Sequence, residues 1–257
     1  MPLKEEDVRW HWKGSESYHF EIHDRIDSTN RRAKELALAG AEHNSVVLAD
    51  TQSAGHGRFA RPFFSPPGAG IYLSWLLRPA LSAEQLSHLT PFAAVAVARA
   101  IRRLCGQMPQ IKWVNDLFMN GKKVCGILCE AGFPAQSGQP SYAIVGVGIN
   151  VTATDLPGEL RDIATSIEAA SGTVCDRNAL IAAVLEELSR FEQEIASGAY
   201  LSEYRSHSLI LGKDVTVHRG DEIFLARAVA IDEDGALVIE CEGVRQTLYA
   251  GEVSIRL

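Results

Sequence analysis

No nucleophile with its attendant base can be read in this chain. It has no G-x-S-x-G, no H-E-x-x-H and no cysteine–histidine arrangement, which excludes the commonest hydrolase and zinc-enzyme readings. A G-x4-G-K-[ST] phosphate loop is also missing. The five cysteines, Cys105, Cys125, Cys129, Cys175 and Cys241, are odd in number. Their closest pair is spaced C-x3-C with no histidine pair beside it, so reduced, packed thiols of a cytoplasmic protein are expected. The longest weakly polar run, "LTPFAAVAVARAI", is too short to span a membrane. The first ten residues, "MPLKEEDVRW", lack the apolar stretch of a signal peptide. Positive charge is not in surplus: 25 Lys+Arg stand against 32 Asp+Glu, a formal net charge of −7. That argues against a general nucleic-acid binder and leaves room for a local basic site.

What is present suits an α+β protein. The 257 residues, 46% of them hydrophobic, can form one large domain and one small one. The first 17 residues read as a polar lead-in. "YHFEIHDRI", "SVVLAD", "GIYLSWLLR" and "SYAIVGVGINV" read as strands. "DSTNRRAKELALAG" reads as a helix capped near Asp27–Thr29 and ended by Gly40. A long helix spans "SAEQLSHLTPFAAVAVARAIRRLC", with Pro91 near a break or new start. "IKWVNDLFM" and "KKVCGILCEA" form a hairpin through Asn120-Gly121. "DRNALIAAVLEELSRFEQEIASG" is a strongly amphipathic helix. Beyond Leu209 the pattern becomes short alternating segments parted by Arg219-Gly220, Asp234-Gly235 and Glu242-Gly243, an all-β module. Residues 1–208 are therefore assigned to a mixed sheet packed by helices and 209–257 to a small barrel.

Five short motifs carry chemistry. "TQSAGHGRFARPFFSPPGAG" joins Gly55, Gly57, Gly68 and Gly70 to Arg58, Arg61 and three phenylalanines. Glycines let backbone N–H groups approach an anion and arginines supply charge. The bland alternative is a turn-rich surface loop. Its G-x-G-x-x-A pattern follows a strand, but Pro62, Pro66 and Pro67 forbid the long helix a dinucleotide fold requires. In "KWVND", Lys112, Val114 and Asp116 share one face if the segment is a single strand; the alternative is a half-exposed strand with a salt bridge. Gly146 and Gly148 leave a strand without side-chain bulk, either for a ligand or for tight packing. "DSTN" is either a helix cap or a polar cradle. His23, His43, His88 and His218 show no ligand spacing and read as surface residues.

In this order the motifs resemble the biotin protein ligases: Asp27-Ser28-Thr29-Asn30; Gln52-x2-Gly55-His56-Gly57-Arg58-x2-Arg61; Lys112-Trp113-x-Asn115-Asp116; Gly121-Lys122-Lys123-x2-Gly126; and Gly146-x-Gly148-Ile149-Asn150. The resemblance runs from about Tyr18 to the C-terminus. It implies a class II aminoacyl-tRNA synthetase-like catalytic fold with an SH3-like C-terminal barrel. It also implies two steps. Biotin and ATP give biotinyl-AMP and pyrophosphate with Mg²⁺, and the biotinyl group then passes to a lysine of a biotin carboxyl carrier protein or domain. Arg58, Lys112, Asp116 and Lys123 would be catalytic. Ser28, Thr29, Asn30, Gln52, Gly55, His56 and Gly57 would bind biotin, with Arg58 and Lys112. Arg58, Arg61, Phe63, Asn115, Lys123, Gly148 and Asn150 would bind the nucleotide. Lys112 would meet the biotin carboxylate and then the α-phosphate, Lys123 the triphosphate, and Asp116 the incoming lysine. The loop would stand open or disordered until biotin and the adenylate fold it down.

This chain departs from the family pattern at His56 for arginine, Ala60 for glycine, Phe63 for tryptophan and Val114 for proline. Only 26 residues precede Asp27, too few for the DNA-binding winged helix of some members, so no DNA partner is expected. No membrane partner is expected, and a homodimer is compatible with the sequence. A lipoate ligase and a non-enzymatic biotin sensor are the alternatives; the first lacks its arginine-glycine motif here, and the second would lack Arg58 or Lys112.

Overall fold

The computed structural model describes residues 3–78, 82, 85–134, 139–220, 222–249 and 251–254. Its larger sheet has seven strands, in the order β1 (His19–Ile26), β2 (Ser45–Gln52), β3 (Gly70–Leu77), β7 (Tyr142–Asn150), β6 (Lys122–Gly132), β5 (Asp116–Met119), β4 (Gln110–Lys112). β1 and β2 are parallel and every other neighbouring pair is antiparallel, so the sheet is mixed, as expected. All eight residues of β3 are buried.

The two faces of the sheet are covered differently. Ile71, Leu73, Trp75 and Leu77 of β3 join the main core, with α3 (Leu89–Cys105) and α6 (Arg177–Leu188), which follows the short helices α4 (Leu160–Ile163) and α5 (Ile167–Ser171) in the chain. On the opposite face, α2 (Thr29–Leu38) lays Ala33 and Ala37 on Val47, Leu76 and Ile144. Register then carries that face from apolar to small and polar. Leu76 pairs with Ile144, Ser74 with Gly146, Tyr72 with Gly148 and Gly70 with Asn150. The helix covers the first step and, through Thr29 and Asn30, Ser74; Gly146, Tyr72 and Gly148 line a cleft beyond it.

Three sequence readings are corrected. The lead-in contains a helix, α1 (Glu5–His11), whose Val8 is 1% exposed in the core; a seven-residue helix carrying one core residue leaves little periodicity to read. "DRNALIAAVLEELSRFEQEIASG" is two helices, α6 and α7 (Phe191–Ser197), separated at Ser189–Arg190. α6 is buried nearly all round instead of on one stripe, because α1 and α3 both pack on it. "IKWVNDLFM" is likewise two strands, β4 and β5, joined by a turn at 113–115. Lys112 and Asp116 are thus cross-strand partners, not neighbours along one strand. Pro91 lies in the first turn of α3, where its missing N–H costs nothing. At the Asn120-Gly121 turn both residues have positive φ, 51° and 76°, as a type I′ turn requires.

The expected C-terminal module is a five-stranded antiparallel sheet, ordered β11 (Val244–Leu248), β10 (Leu237–Cys241), β9 (Glu222–Ile231), β8 (Asp214–Arg219), β12 (Glu252–Ser254). Its inward residues, Val215, Val217, Ala228 and Ile239, belong to the same buried cluster as the large sheet. Its β9–β10 turn seats against the turn at 113–115: Trp113 Nε1 donates to the Gly235 carbonyl at 3.0 Å. From α8 (Tyr200–Ser206), Tyr204 donates to the Val114 carbonyl at 2.9 Å. No described helix is long and apolar enough to cross a membrane.

Arg99 on α3 anchors α7 and α8, placing its Nη2 2.7 Å from Glu203 and its Nη1 2.7 Å from Glu194. The hydrogen bond from Arg99 holds the Glu203 carboxyl below its ordinary range. Arg99→Ala is expected to cost about 3 kcal/mol in urea unfolding, the lower end for a broken buried pair, because Glu203 is 41% exposed. A depressed carboxylate contributes stability above its unfolded pKa and loses it as pH falls through the folded value. The gap between wild type and variant therefore narrows in acid. A constant gap down to pH 2 would contradict the ion-pair origin of the effect.

Candidate active site

The cleft on the open face has a volume of about 130 Å³. It is built from one row of residues paired across the sheet. Tyr72 pairs with Gly148, Gly148 with Gly126, Gly126 with Asp116 and Asp116 with Lys112. A bulge between Leu117 and Phe118 of β5 helps set this register. Lys123 reaches into the row, its Nζ 2.7 Å from Asp116 Oδ1. That contact is ionic in distance but misaligned as a hydrogen bond, since Oδ1 is buried and has no aligned donor. The Lys112 ammonium lies 5.7 Å from the Phe118 ring. Asp116 thus has one lysine as its cross-strand partner and another in contact with it. Asn115 is pinned to β6: its Nδ2 donates to the Ile127 carbonyl at 2.8 Å, and its own carbonyl accepts from Ile127 N–H at 2.9 Å.

The first turn of α2 closes one end. Ser28, Thr29 and Asn30 are 2%, 4% and 5% exposed, with Ser28 as N-cap. Gln52 Oε1 accepts from the Thr29 N–H at 2.8 Å and from its hydroxyl at 3.1 Å. The two glycines of "GVGIN" serve this site's own side chains. A Cβ on Gly146 would stand 2.1 Å from Asn30 Oδ1, and one on Gly148 2.7 Å from the Phe63 ring.

The glycine-arginine loop stands folded over the cleft, not open. Gly57 N–H donates to the Arg61 carbonyl and Phe63 N–H to the Gly55 carbonyl, both at 2.9 Å. Between them Phe59 and Ala60 have φ of 57° and 53°. The left-handed conformation suits the glycine that Ala60 replaces in the family pattern. Arg58 Nη2 donates to the Gly251 carbonyl at 2.7 Å and its Nη1 to Asn115 Oδ1 at 3.4 Å. The arginine therefore joins the loop to the C-terminal sheet and to the turn at 113–115.

Of the candidates, Ser28, Thr29, Asn30, Gln52, His56, Gly57, Arg58, Arg61, Phe63, Lys112, Asn115, Asp116, Lys123 and Gly148 line this cleft. Gly55 and Asn150 do not. Gly55 is a buried residue of the loop itself, where a Cβ would stand 2.7 Å from Gln52 Nε2. Asn150 lines an adjoining hollow of about 320 Å³ with Lys122, Thr152, Asp155 and Arg161, and donates to the Thr165 carbonyl at 3.1 Å. Tyr72 lines both hollows. His88, read as a surface residue, is largely buried, with its Nδ1 2.5 Å from the Tyr200 hydroxyl. Tyr72 and Val253 belong to the site without a motif to announce them; Tyr72 is embedded in an apolar strand, and Val253 arrives from the other sheet. Burial pushes the Cys129 thiol up to about 12 and raises that of Cys125 as well, so neither is a ready thiolate.

The polar lining fits an anionic, adenylate-like ligand. Asp116 is the only carboxylate among the described residues that line the cleft. The described residues hold no group of three His, Cys, Asp or Glu side chains suited to a metal. Such a lining fits Mg²⁺ that arrives on a triphosphate and keeps much of its water.

Residues 22–150 match the biotin/lipoate A/B protein ligase family, and the chain belongs to it. Residues 210–256 match the biotin protein ligase C-terminal domain. The chain is 34% identical over 260 residues to the bifunctional ligase/repressor BirA of Bacillus subtilis, covering 98% of this chain and 79% of that one. It is 32% identical to the biotin–[acetyl-CoA-carboxylase] ligase of Paracoccus denitrificans, over 89% of this chain and 97% of that one. Among solved structures, the biotin protein ligase of Aquifex aeolicus in complex with biotin and ATP superposes with a TM-score of 0.78 at 28% identity, covering 93% of this chain and 98% of that one. Within the family the chain falls among the biotin protein ligases, and its activity is ATP-dependent biotin ligation.

Proposed function

We propose that this cleft runs both half-reactions and hands biotin to a lysine of a biotin carboxyl carrier protein or domain in the cytoplasm. The observation that carries the proposal is Asp116 beside two lysines, between the polar turn Ser28–Asn30 and the loop of Arg58. Residues 1–208 act as the catalytic unit. Residues 209–257 form a C-terminal unit that supports it through Gly251, Val253 and Gly235.

In the first step the biotin carboxylate oxygen attacks the α-phosphorus of ATP and pyrophosphate leaves. Two anions must approach each other, so charge neutralisation and alignment are the main requirements. Lys112 and Lys123 offset that charge. Ser28, Thr29, Asn30 and Gln52 hold the ureido ring, while Arg58, Arg61, Phe63 and Asn115 hold the nucleotide side. Mg²⁺ bound with the triphosphate supplies further charge neutralisation. The folded loop excludes water from the mixed anhydride. In the second step the acceptor amine attacks the biotinyl carbonyl and AMP leaves. An anion in the cleft draws Lys123 away from Asp116, leaving the carboxylate to accept a proton from the incoming lysine.

Asp116→Asn separates the steps. Adenylate formation is expected to stay within about tenfold of wild type, whereas single-turnover transfer from preformed adenylate falls about 10²- to 10⁴-fold, the usual range for a lost general base. Equal losses in both half-reactions would place Asp116 in metal binding or folding instead.

A further inference from the structure

We infer that Ser74 and Glu130, which no motif singles out, are positioning residues that fix which atoms of the biotin head pocket accept and which donate. The inference rests on the assignment of Thr29 and Asn30 to the ureido ring.

Glu130 Oε2 accepts a hydrogen bond from Asn30 Nδ2 at 2.7 Å, and the Leu128 carbonyl accepts from the same nitrogen at 3.3 Å. An amide nitrogen has two hydrogens, while a carboxylate and a carbonyl only accept. Both amide hydrogens are thereby committed to β6, and Asn30 Oδ1 is turned toward β3. There it meets the Ser74 hydroxyl at 2.6 Å. Ser74 is fully buried and also lies 2.8 Å from Thr29 Oγ1. The Thr29 hydroxyl proton is already directed to Gln52 Oε1.

One Ser74 proton therefore serves two acceptor oxygens. Whichever receives it, the other lacks a donor in a place where the side chains are at most 5% exposed. A buried acceptor without a donor is costly, and a ligand N–H relieves that cost. The ureido ring of biotin carries N–H donors suited to it. Strand register supports the arrangement: Ser74, Gly146 and Leu128 form one cross-strand row, and Gly146 leaves the room that Asn30 Oδ1 needs.

Glu130→Gln keeps the shape and supplies a donor, so Asn30 can turn over and present N–H groups to a ring that itself offers N–H groups. In biotin-dependent ATP–pyrophosphate exchange, this variant is expected to raise the KM for biotin roughly tenfold to a hundredfold, the range for a charge-assisted hydrogen bond. The KM for ATP is expected to stay within about twofold, an effect too small to resolve on that scale. Biotin methylated at either ureido nitrogen adds a readout that a merely structural role would not move. Methylation of the nitrogen that donates here is expected to penalise wild type heavily and Glu130→Gln much less.

An unchanged biotin KM, parallel rises in the KM for biotin and ATP, or equal methylation penalties would overturn the inference. If Glu130→Gln does not fold, Ser74→Ala is read by its biotin and ATP KM values, with a selective rise for biotin expected and no selective rise overturning it. Loss of all biotin-dependent exchange in wild type would overturn the functional reading first; wild-type exchange with unshifted variants overturns this inference alone.

Discussion

Alanine at Lys123 is expected to lower biotin-dependent pyrophosphate exchange by about 10²- to 10³-fold, the usual loss for one preorganised transition-state donor. Lys112→Ala is expected to fall in the same range. Two unit negative charges 4 Å apart repel by about 4 kcal/mol at an effective dielectric of 20. That is the problem posed by a carboxylate meeting a phosphate. Lys123 is held at the middle of the row by Asp116, 2.7 Å away, and Lys112 enters from the next strand. Their charge counts most as negative charge concentrates between the reacting groups, so the loss falls mainly on the rate, with ATP binding changed far less. Near-normal exchange by both variants would remove the lysines from the chemistry.

Arg58→Gly is expected to give a leaky enzyme. Arg58 fastens the loop to the Gly251 carbonyl and to Asn115, and in the proposed complex it also holds the adenylate phosphate. A charge-assisted bond contributes about 1.5–3 kcal/mol, roughly tenfold to a hundredfold in residence time. Glycine further adds backbone freedom at that position. Adenylate then escapes before an acceptor docks, and the free anhydride acylates exposed lysines. Ligation to the carrier falls, while a bystander such as albumin in the same tube becomes biotinylated. A variant that forms adenylate but releases no more of it than wild type, and labels no bystander, would show that Arg58 does not keep the loop closed.

Much of the site was legible because its chemistry demands rare residues in short spans. Ser28–Asn30 open a helix, Arg58 sits among glycines, and Lys112, Asp116 and Lys123 punctuate apolar segments. What could not be read was register. The row from Tyr72 to Lys112 depends on the turn at 113–115 and the bulge in β5, and neither has a strong local signal. The single-strand reading placed Lys112 and Asp116 on one face for the wrong reason; pairing across the turn puts them there. Gly146 and Gly148 left ligand approach and tight packing equally open in the sequence; a Cβ there would meet Asn30 and Phe63, side chains more than eighty residues away in sequence. Ser74 and Glu130 resemble any polar residue in a strand until Asn30 is placed between them. The C-terminal sheet was legible as a module, but its reach into the cleft through Gly251 and Val253 was not.

Pyrophosphate exchange into ATP by the wild-type protein, measured with and without biotin, tests the cleft most directly as the place where biotin is activated. Exchange that requires biotin, saturates with it and yields biotinyl-AMP is the predicted result. Exchange that proceeds equally without biotin, or no exchange at any biotin concentration from folded protein, would contradict it.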